Sequence, residues 1–188
     1  MHRRFSQAIS EGDGISLLAT IRDLDAARAA EDEGAEGFVL SSALAGLREA
    51  TELPILWTAP SAVGEATGNG ADASVLAVQG LEDEDGRLER LYEQALDAGL
   101  ECVVGVRDED ELRLALDRID PEIFLLAGRE LDHVLALLPD VPAGKLAVAE
   151  VGVRGRVDVA ELERAGVDAV IVPAADVQRL SGEPQPQP

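Results

Sequence analysis

Short apolar runs alternate with amphipathic stretches from residue 15 almost to the end of the chain. The runs are continuous rather than strictly alternating, as expected for parallel strands that are covered on both faces. The stretches between them carry apolar residues at helical spacing. The pattern therefore predicts strands over residues 15–21, 37–42, 54–59, 74–79, 101–106, 122–128, 146–152 and 169–174.

A weak internal repeat accompanies this alternation. The segments "EGAEGFVL", "GADASVLAV", "AGLECVVGV" and "AGVDAVIV" share one form, in which a helix end and a glycine lead into a strand. A glycine at that point suits the left-handed residue that closes many helices; the four are Gly34, Gly70, Gly99 and Gly166. Repeated units of this kind indicate an α/β barrel or an open doubly wound sheet, and eight units favour closure into a (β/α)₈ TIM barrel.

The chain divides into three parts on this interpretation. Residues 15–178 form the single barrel, which is compact, with short loops, because 188 residues fall below the usual size of about 200 or more. Residues 1–14 are a leader that is either a helical plug beneath the barrel, with Phe5 and Ile9 on one helix face, or a frayed terminus. Residues 179–188 are a proline-rich tail that we expect to be disordered.

Charge is the unusual feature of the composition. The chain has 37 acidic and 16 basic residues, for a net charge of -21. Such a surface repels nucleic acid and anionic membranes, so neither is an expected partner. The excess of carboxylates has two open explanations, simple solubility or adaptation to a halophilic, high-salt cytoplasm. A single cysteine, Cys102, and no apolar run of membrane-spanning length favour a cytoplasmic protein, whose oligomeric state the sequence leaves open.

Polar side chains at the predicted carboxyl ends of the strands are the candidates for binding. Arg22, Arg107, Arg129 and Glu150 occupy such positions, with Trp57 nearby. Guanidinium groups bind phosphate and carboxylate bidentately, and an indole ring stacks on flat groups, so these residues predict a pocket for a small anionic ligand. The alternative is that the arginines pair with Asp23, Asp108, Glu130 or Glu150 and close the mouth.

Other chemistries find little support in the sequence. His2 lies in the leader and His133 within the helix after strand 6, so neither is placed for proton transfer or for a Ser-His-Asp triad. No metal-ligand cluster and no Walker or Rossmann pattern is present. We therefore predict no metal and no cofactor. The catalytic residues are unknown, and Glu150 is a weak candidate.

Several segments resemble one enzyme family. "ECVVGVRDEDEL", "IFLLAGREL" and "VAEVGVRGRVDVAELERAGVDAVIV" are similar to the second half of indole-3-glycerol-phosphate synthase, and "LPILWTAP" and "GADASVLAVQGL" to its strands 3 and 4. The resemblance covers roughly residues 15–172. It implies a ribulose-phosphate-binding TIM barrel, and the family enzyme, a carbon–carbon lyase of tryptophan biosynthesis, closes an indole ring on carboxyphenylamino-deoxyribulose phosphate.

The same resemblance shows that catalytic positions have changed. The general-acid lysine of strand 3 falls on Thr58, its glutamate partner of strand 5 on Gly105, and the strand-1 glutamate on Thr20. The substrate-binding Asn of strand 6 falls on Ala127, and the phosphate-holding turn after strand 8 begins with Pro173, which lacks a backbone N–H.

Other positions of the family pattern are kept. The strand-1 cation is present as Arg22, the strand-6 arginine as Arg129 and the strand-7 glutamate as Glu150. Gly152 matches the turn that contributes to phosphate binding in the family, although the preceding serine is Val151.

We interpret the chain as a divergent barrel of this family that has lost most catalytic residues. On this reading it is non-catalytic or binds a small anionic ligand. One alternative is an active synthase with a rearranged site, and another is a different enzyme on the same scaffold with Glu150 as base. Both alternatives require an open mouth with unpaired arginines, whereas the first interpretation also permits a mouth closed by ion pairs and Trp57.

Overall fold

The strands close into one all-parallel barrel in the order β1-β2-β3-β4-β5-β6-β7-β8. The computed structural model describes residues 4–12, 14–59, 63–81 and 86–181. The predicted (β/α)₈ barrel is confirmed, and an open doubly wound sheet is excluded because β8 pairs with β1. The strands are β1 (Ser16–Thr20), β2 (Gly37–Leu40), β3 (Ile55–Trp57), β4 (Ala73–Ala77), β5 (Glu101–Val106), β6 (Ile123–Ala127), β7 (Leu146–Glu150) and β8 (Ala169–Pro173).

Helices precede and connect the strands as the alternation predicted. The α-helices are α1 (Phe5–Ser10), α2 (Leu24–Asp32), α3 (Leu47–Ala50), α4 (Val63–Gly68), α5 (Arg87–Asp97), α6 (Glu109–Arg118), α7 (Leu131–Leu137), α8 (Arg156–Ala165) and α9 (Val177–Leu180). Short 3₁₀ turns follow α7 and β8, at Leu138–Asp140 and Ala174–Asp176. The four predicted helix-end glycines all have the positive φ that their role requires. No helix in the described part of the chain is long and apolar enough to cross a membrane.

Alternation along each strand separates two apolar clusters. Inward side chains such as Leu18, Val39 and Leu56 fill the barrel, and outward ones such as Phe38 and Trp57 pack against the helices. Successive strand residues point to opposite faces, so a shift of one position along a strand moves a side chain from the barrel interior to the layer between the barrel and the helices. At the carboxyl end of each strand the inward position opens into the mouth.

Helix α1 packs against the amino-terminal end of the barrel. Phe5 and Ile9 are fully buried or nearly so, and they belong to the same cluster as the barrel interior. The start of the helix is held by the Glu101 carboxylate, which accepts hydrogen bonds from the backbone N–H and the hydroxyl of Ser6. These contacts are the ones expected of the plug alternative, which the Phe5 variants described in the Discussion test. Residues 1–3 and 13 of the leader lie outside the described residues.

The last helix of the described part, α9, packs against α8. Helix α9 runs from Val177 to Leu180, which is 3% exposed, and so spans residue 178, where the sequence places the end of the barrel. The predicted disorder of the tail concerns mainly residues 182–188, which are outside the described part.

Asp168 links β8 to β7 at the amino-terminal end of the barrel and gives a test by pH. Its Oδ2 accepts a hydrogen bond of 2.7 Å from the Ala147 N–H, and burial raises the pKa of its carboxyl group above the ordinary value. A raised folded-state pKa means that protonation favours the fold. The stabilising contribution is complete below the unfolded pKa of about 3.9 and is lost as pH rises through the folded pKa.

We expect Asp168→Asn to be at least as stable as the wild type at pH 7, because the amide oxygen still accepts the hydrogen bond without a buried charge. The stability advantage of Asp168→Asn over the wild type becomes smaller as pH falls toward 4, because the Asp168 carboxyl group of the wild type becomes protonated. Urea unfolding midpoints across that range measure the effect, with the exposed Asp117→Asn as the control. A variant that is less stable than the wild type at pH 7 contradicts the assignment.

Candidate anion site at the barrel mouth

A cavity of about 630 Å³ opens at the carboxyl ends of β1, β7 and β8. Three of the predicted ligand-binding residues line it: Arg22, Glu150 and Gly152. Thr20 and Pro173 also line it, and of these five residues all except the half-buried Thr20 are exposed. Strand order brings these residues together, since β7, β8 and β1 are consecutive around the barrel. The carboxyl-terminal face is where barrels of this fold place their active sites.

Arg22 has no ion pair or hydrogen-bond partner for its side chain among the described residues. The neighbouring carboxylate, Asp23, is already engaged: it is the N-cap of α2 and accepts a hydrogen bond of 2.7 Å from the Ala26 N–H. An N-cap aspartate satisfies an otherwise unpaired helix N–H, which favours this role over pairing with a flexible arginine. The structure therefore does not contain the Arg22–Asp23 ion pair that the sequence offered as an alternative.

A second cavity, of about 510 Å³, adjoins the first at Gly128, which lines both. Its rim includes Arg107 and Arg129 after β5 and β6, together with Ala127. Arg129 is exposed, and its side chain also lacks a partner in the described part of the chain. Glu130 lines the same cavity but does not form an ion pair with Arg129. Arg22 and Arg129, which have no partner in the described part of the chain, therefore line two cavities that adjoin at Gly128.

Arg107 differs because it is held by Glu111. The Glu111 carboxylate accepts from the Arg107 backbone N–H at 2.7 Å and from its guanidinium, with Nε at 3.0 Å. Glu111 is 4% exposed, whereas the Arg107 side chain remains 47% exposed. Asp108, the pairing partner considered from sequence, instead caps α6 by accepting from the Glu111 N–H. Sequence reasoning missed Glu111, although its i, i+4 spacing from Arg107 was the available signal.

His133 was set aside from sequence, and the structure places it on the second cavity. It lies in the first turn of α7, where its Nε2 contacts the carbonyl oxygen of Arg107. A carbonyl only accepts, so Nε2 carries the proton in this contact. The first turn of a helix that follows a strand lies at the mouth, and this was the signal in the sequence. His2 is outside the described residues.

Trp57 lies apart from the arginines. Leu56 points into the barrel, so Trp57 points outward, where it is 2% exposed in the cluster beneath the helices. It lines a third cavity, with Thr58 and residues of α4 and α5. The mouth is therefore not closed by Trp57, and a ligand contact by this residue would be made on a different side of the barrel wall.

Thr58 and Gly105 lie at the strand ends where the family resemblance places the general acid and the general base, and neither residue supplies such a group. The Thr58 hydroxyl donates to the Leu40 carbonyl oxygen at 3.1 Å, so it is used by the backbone. A β-carbon added at Gly105 would lie 3.4 Å from Val75 Cγ1, so a β-carbon fits here without a clash. Burial raises the pKa of Cys102 to about 12, which keeps this thiol protonated at neutral pH.

Metal chemistry also finds no site in the described ranges. No group of three or more His, Cys, Asp or Glu side chains there is arranged to hold an ion. The ionisable groups of the first cavity are Arg22, Asp23 and Glu150. Of the two carboxylates, Asp23 is the helix cap, and Glu150 has no side-chain partner among the described residues. The arrangement can bind an anion through Arg22 and can offer one carboxylate as a base.

Solved structures share the overall fold of the chain. Two mutant tryptophan synthase alpha-subunits from Pyrococcus furiosus superpose with TM-scores of 0.63 and 0.62, at 18% and 17% sequence identity. In both cases the match covers 87% of this chain and 88% of the structure. At this level of identity the likeness concerns the barrel alone.

Sequence relatives identify the family. The family model for indole-3-glycerol phosphate synthase matches residues 42–179. Indole-3-glycerol phosphate synthases from two strains of Acidithiobacillus ferrooxidans are 37% identical over 139 residues, which is 69% of this chain and 52% of theirs. One from a Geobacillus species is 32% identical over 140 residues, 69% of this chain and 54% of its own. The chain thus spans about half the length of these relatives, and it belongs to the indole-3-glycerol phosphate synthase family.

Proposed function

We propose that this barrel binds a small phosphorylated or carboxylated ligand at its mouth and does not catalyse indole ring closure. One observation carries the proposal. Arg22 and Arg129 are exposed on either side of Gly128 and have no partner among the described residues. Thr58 and Gly105 stand where the family resemblance places the general acid and the general base.

The free arginines support anion binding. A guanidinium at a barrel mouth presents a planar set of donors that matches phosphate or carboxylate oxygens. Several other arginines of this acidic chain pair with carboxylates, as the Arg28–Asp25 and Arg113–Asp110 pairs show. Arg22 does not form such a pair, because the Asp23 carboxylate caps helix α2. A cation left unpaired in such surroundings is available to a ligand.

The loops beside Arg22 support the phosphate form of the ligand. Barrels of this fold frequently bind phosphate with the loops after strands 7 and 8. Here those loops contribute Gly152, Ala174 and Ala175 to the same cavity as Arg22. A β-carbon at Gly152 would meet nothing within 4 Å, so a ligand can approach the backbone closely at this point. Pro173 reduces the number of backbone donors, which makes the arginine more important.

The missing groups argue against the family reaction. General acid and general base steps each contribute about 10² to 10⁴ in rate, so the loss of both removes at least about 10² to 10⁴. Thr58 does not replace the acid, because its hydroxyl is weakly acidic and bonded to the Leu40 carbonyl oxygen. Lys145, the single lysine, lies just before β7 and pairs with Asp120, so it is at the opposite end of the barrel.

A second candidate function is catalysis with a rearranged site, either the family's lyase reaction or another reaction on the same scaffold. The observation in its favour is that Glu150 faces the same cavity as Arg22 and has no side-chain partner in the described part. An unpaired carboxylate beside a bound anion has the placement of a general base. His133 lines the adjoining cavity.

Binding of inorganic phosphate and of benzoate tests the anion site and distinguishes the two ligand classes. We expect Arg22→Gln and Arg129→Gln each to weaken binding of the preferred anion by about tenfold or more, and the double variant by more than either single variant, since charged hydrogen bonds contribute about 1.5–3 kcal/mol and 1.4 kcal/mol is tenfold in affinity. Isothermal titration measures the affinities. Arg164→Gln is the matched control, because Arg164 is exposed and unpaired among described residues but lies in the last turn of α8, away from the mouth. Equal affinities in all variants contradict the proposal.

A further inference from the structure

The two loops on the β7 and β8 side of the anion cavity are joined by one arginine of helix α9. The loop after β7 contributes Gly152 to the cavity, and the 3₁₀ turn after β8 contributes Ala174. The Arg179 guanidinium donates through Nη1 to the Arg154 carbonyl oxygen in the first loop. Through Nη2 and Nε it reaches Asp176 Oδ1 in the second, at 3.1 and 3.4 Å. Arg179 therefore ties together two walls of the cavity from a position behind them.

The backbone of the loop after β7 is fixed from two directions at Arg154. Its N–H donates to Asp158 Oδ2, in the first turn of α8, at 2.7 Å. Its carbonyl oxygen is the one that accepts from Arg179. Arg156 adds a bond in the opposite direction, because its Nε donates to the Arg179 carbonyl oxygen at 2.9 Å. Side chains of α8 and α9 thus hold the backbone that lies two residues beyond Gly152.

Helix α9 lies between elements that bound the cavity. The 3₁₀ turn that leads into it packs against α2, and α9 itself packs against α8. Val177 and Leu180 anchor the helix, since they are 0% and 3% exposed in the layer between the barrel and the helices. A helix of four residues is not stable by itself, so its position depends on this packing and on the Arg179 contacts. A segment held by so few buried groups opens locally more readily than the core.

We infer that Arg179 is a positioning residue for the anion site, and that docking of α9 is coupled to binding of the anion. The inference rests on the anion binding proposed above. When α9 is docked, Arg179 holds the loops of Gly152 and Ala174 in the spacing that forms the cavity. When α9 undocks, the loops lose this restraint, and the apparent affinity falls with the docked fraction. Coupling between two equilibria is reciprocal, so a bound anion favours the docked helix to the same extent.

Two variants that weaken docking in different ways test the coupling by isothermal titration. The probe is inorganic phosphate or benzoate, whichever the wild type binds more tightly. Arg179→Met removes the donors of the clamp, whereas Leu180→Ala removes buried apolar volume and leaves every charge in place. We expect each variant to weaken binding by about fivefold or more. Arg179→Lys keeps a donor and the positive charge, so it should recover part of the loss, and the control Arg164→Gln should bind as the wild type does.

Hydrogen exchange supplies a readout that a purely structural role of Arg179 would not change. A saturating concentration of the probe should slow exchange of the α9 amides in the wild type, and should slow it less in Arg179→Met. Circular dichroism establishes that each variant is folded, and Val177→Ala replaces Leu180→Ala if the latter does not fold.

Three results overturn the inference and leave the proposed anion binding intact. They are wild-type affinity in folded Arg179→Met, a loss of affinity in Arg179→Met that the uncharged α9 variant does not share, and α9 exchange that the bound probe does not change. The second result would mean that only the charge of Arg179 matters. A wild-type protein that binds neither phosphate nor benzoate contradicts the proposed function itself, and the coupling falls with it.

Discussion

Asp72→Ala is expected to lower the free energy of unfolding by about 3–4 kcal/mol, the largest single effect that we predict. The Asp72 Oδ2 accepts from Arg48 Nη1 at 3.0 Å and from the Ile55 backbone N–H at 2.8 Å. The two side chains are 17% and 19% exposed. Arg48 also donates to the carbonyl oxygens of Thr51 and Leu53, which ties α3 to the start of β3 and β4.

The size of the effect follows from what remains after the carboxylate is removed. A largely buried guanidinium then has no counter-ion, and its Nε is already without a partner among the described residues. Urea unfolding measures the loss, with the exposed Asp97→Ala as a control that should stay within about 0.5 kcal/mol of the wild type. Asp72→Asn keeps an acceptor for Ile55 and should fall between the two. A loss below about 1 kcal/mol in Asp72→Ala contradicts the account of this network.

Phe5→Ala should destabilise the protein by about 3 kcal/mol, at the low end for a buried phenylalanine because α1 can detach instead of holding a cavity. Phe5 is fully buried in the same cluster as Leu18, Val39 and Leu56. Its ring therefore closes the amino-terminal end of the barrel. Truncation exposes that end to water, since no other described helix covers it.

Phe5→Leu is the matched variant, because it preserves most of the apolar volume and should cost less than about 1.5 kcal/mol. Guanidinium unfolding with circular dichroism detection measures both. If Phe5→Ala is as stable as the wild type, α1 does not function as a plug in solution, and the leader is the frayed terminus that the sequence also allowed.

The fold was predictable because its signal is repeated many times along the chain. Eight apolar runs, helix-period stretches and glycines such as Gly34 and Gly166 all indicated the same unit. Strand ends were less certain: β4 begins at Ala73 and ends at Ala77, not at residues 74 and 79. The outer limits of a strand depend on pairing, and β3 is too short to extend the pairing of β4.

The site was predictable only in part, because it depends on the side of the barrel wall to which each side chain points and on the residue with which each charged group pairs. Arg22, Glu150 and Gly152 were brought together by strand order alone. Trp57 was not, since one step along β3 moves a side chain from the mouth to the helix layer. The pairing of Arg107 with Glu111 could not be ranked against pairing with Asp108, because the choice was decided by the helix cap.

The central claim is that a member of the indole-3-glycerol phosphate synthase family has kept its barrel and an anion site but not the ring-closing chemistry. The most direct test is turnover of carboxyphenylamino-deoxyribulose phosphate by the purified protein, followed by indole fluorescence in low salt and again in molar KCl, with folding verified in each buffer. We predict no product above the rate in buffer alone under either condition. Product at an enzymatic rate would contradict the claim, and it would show that another residue, with Glu150 the first to replace, moves the proton that Thr58 and Gly105 cannot.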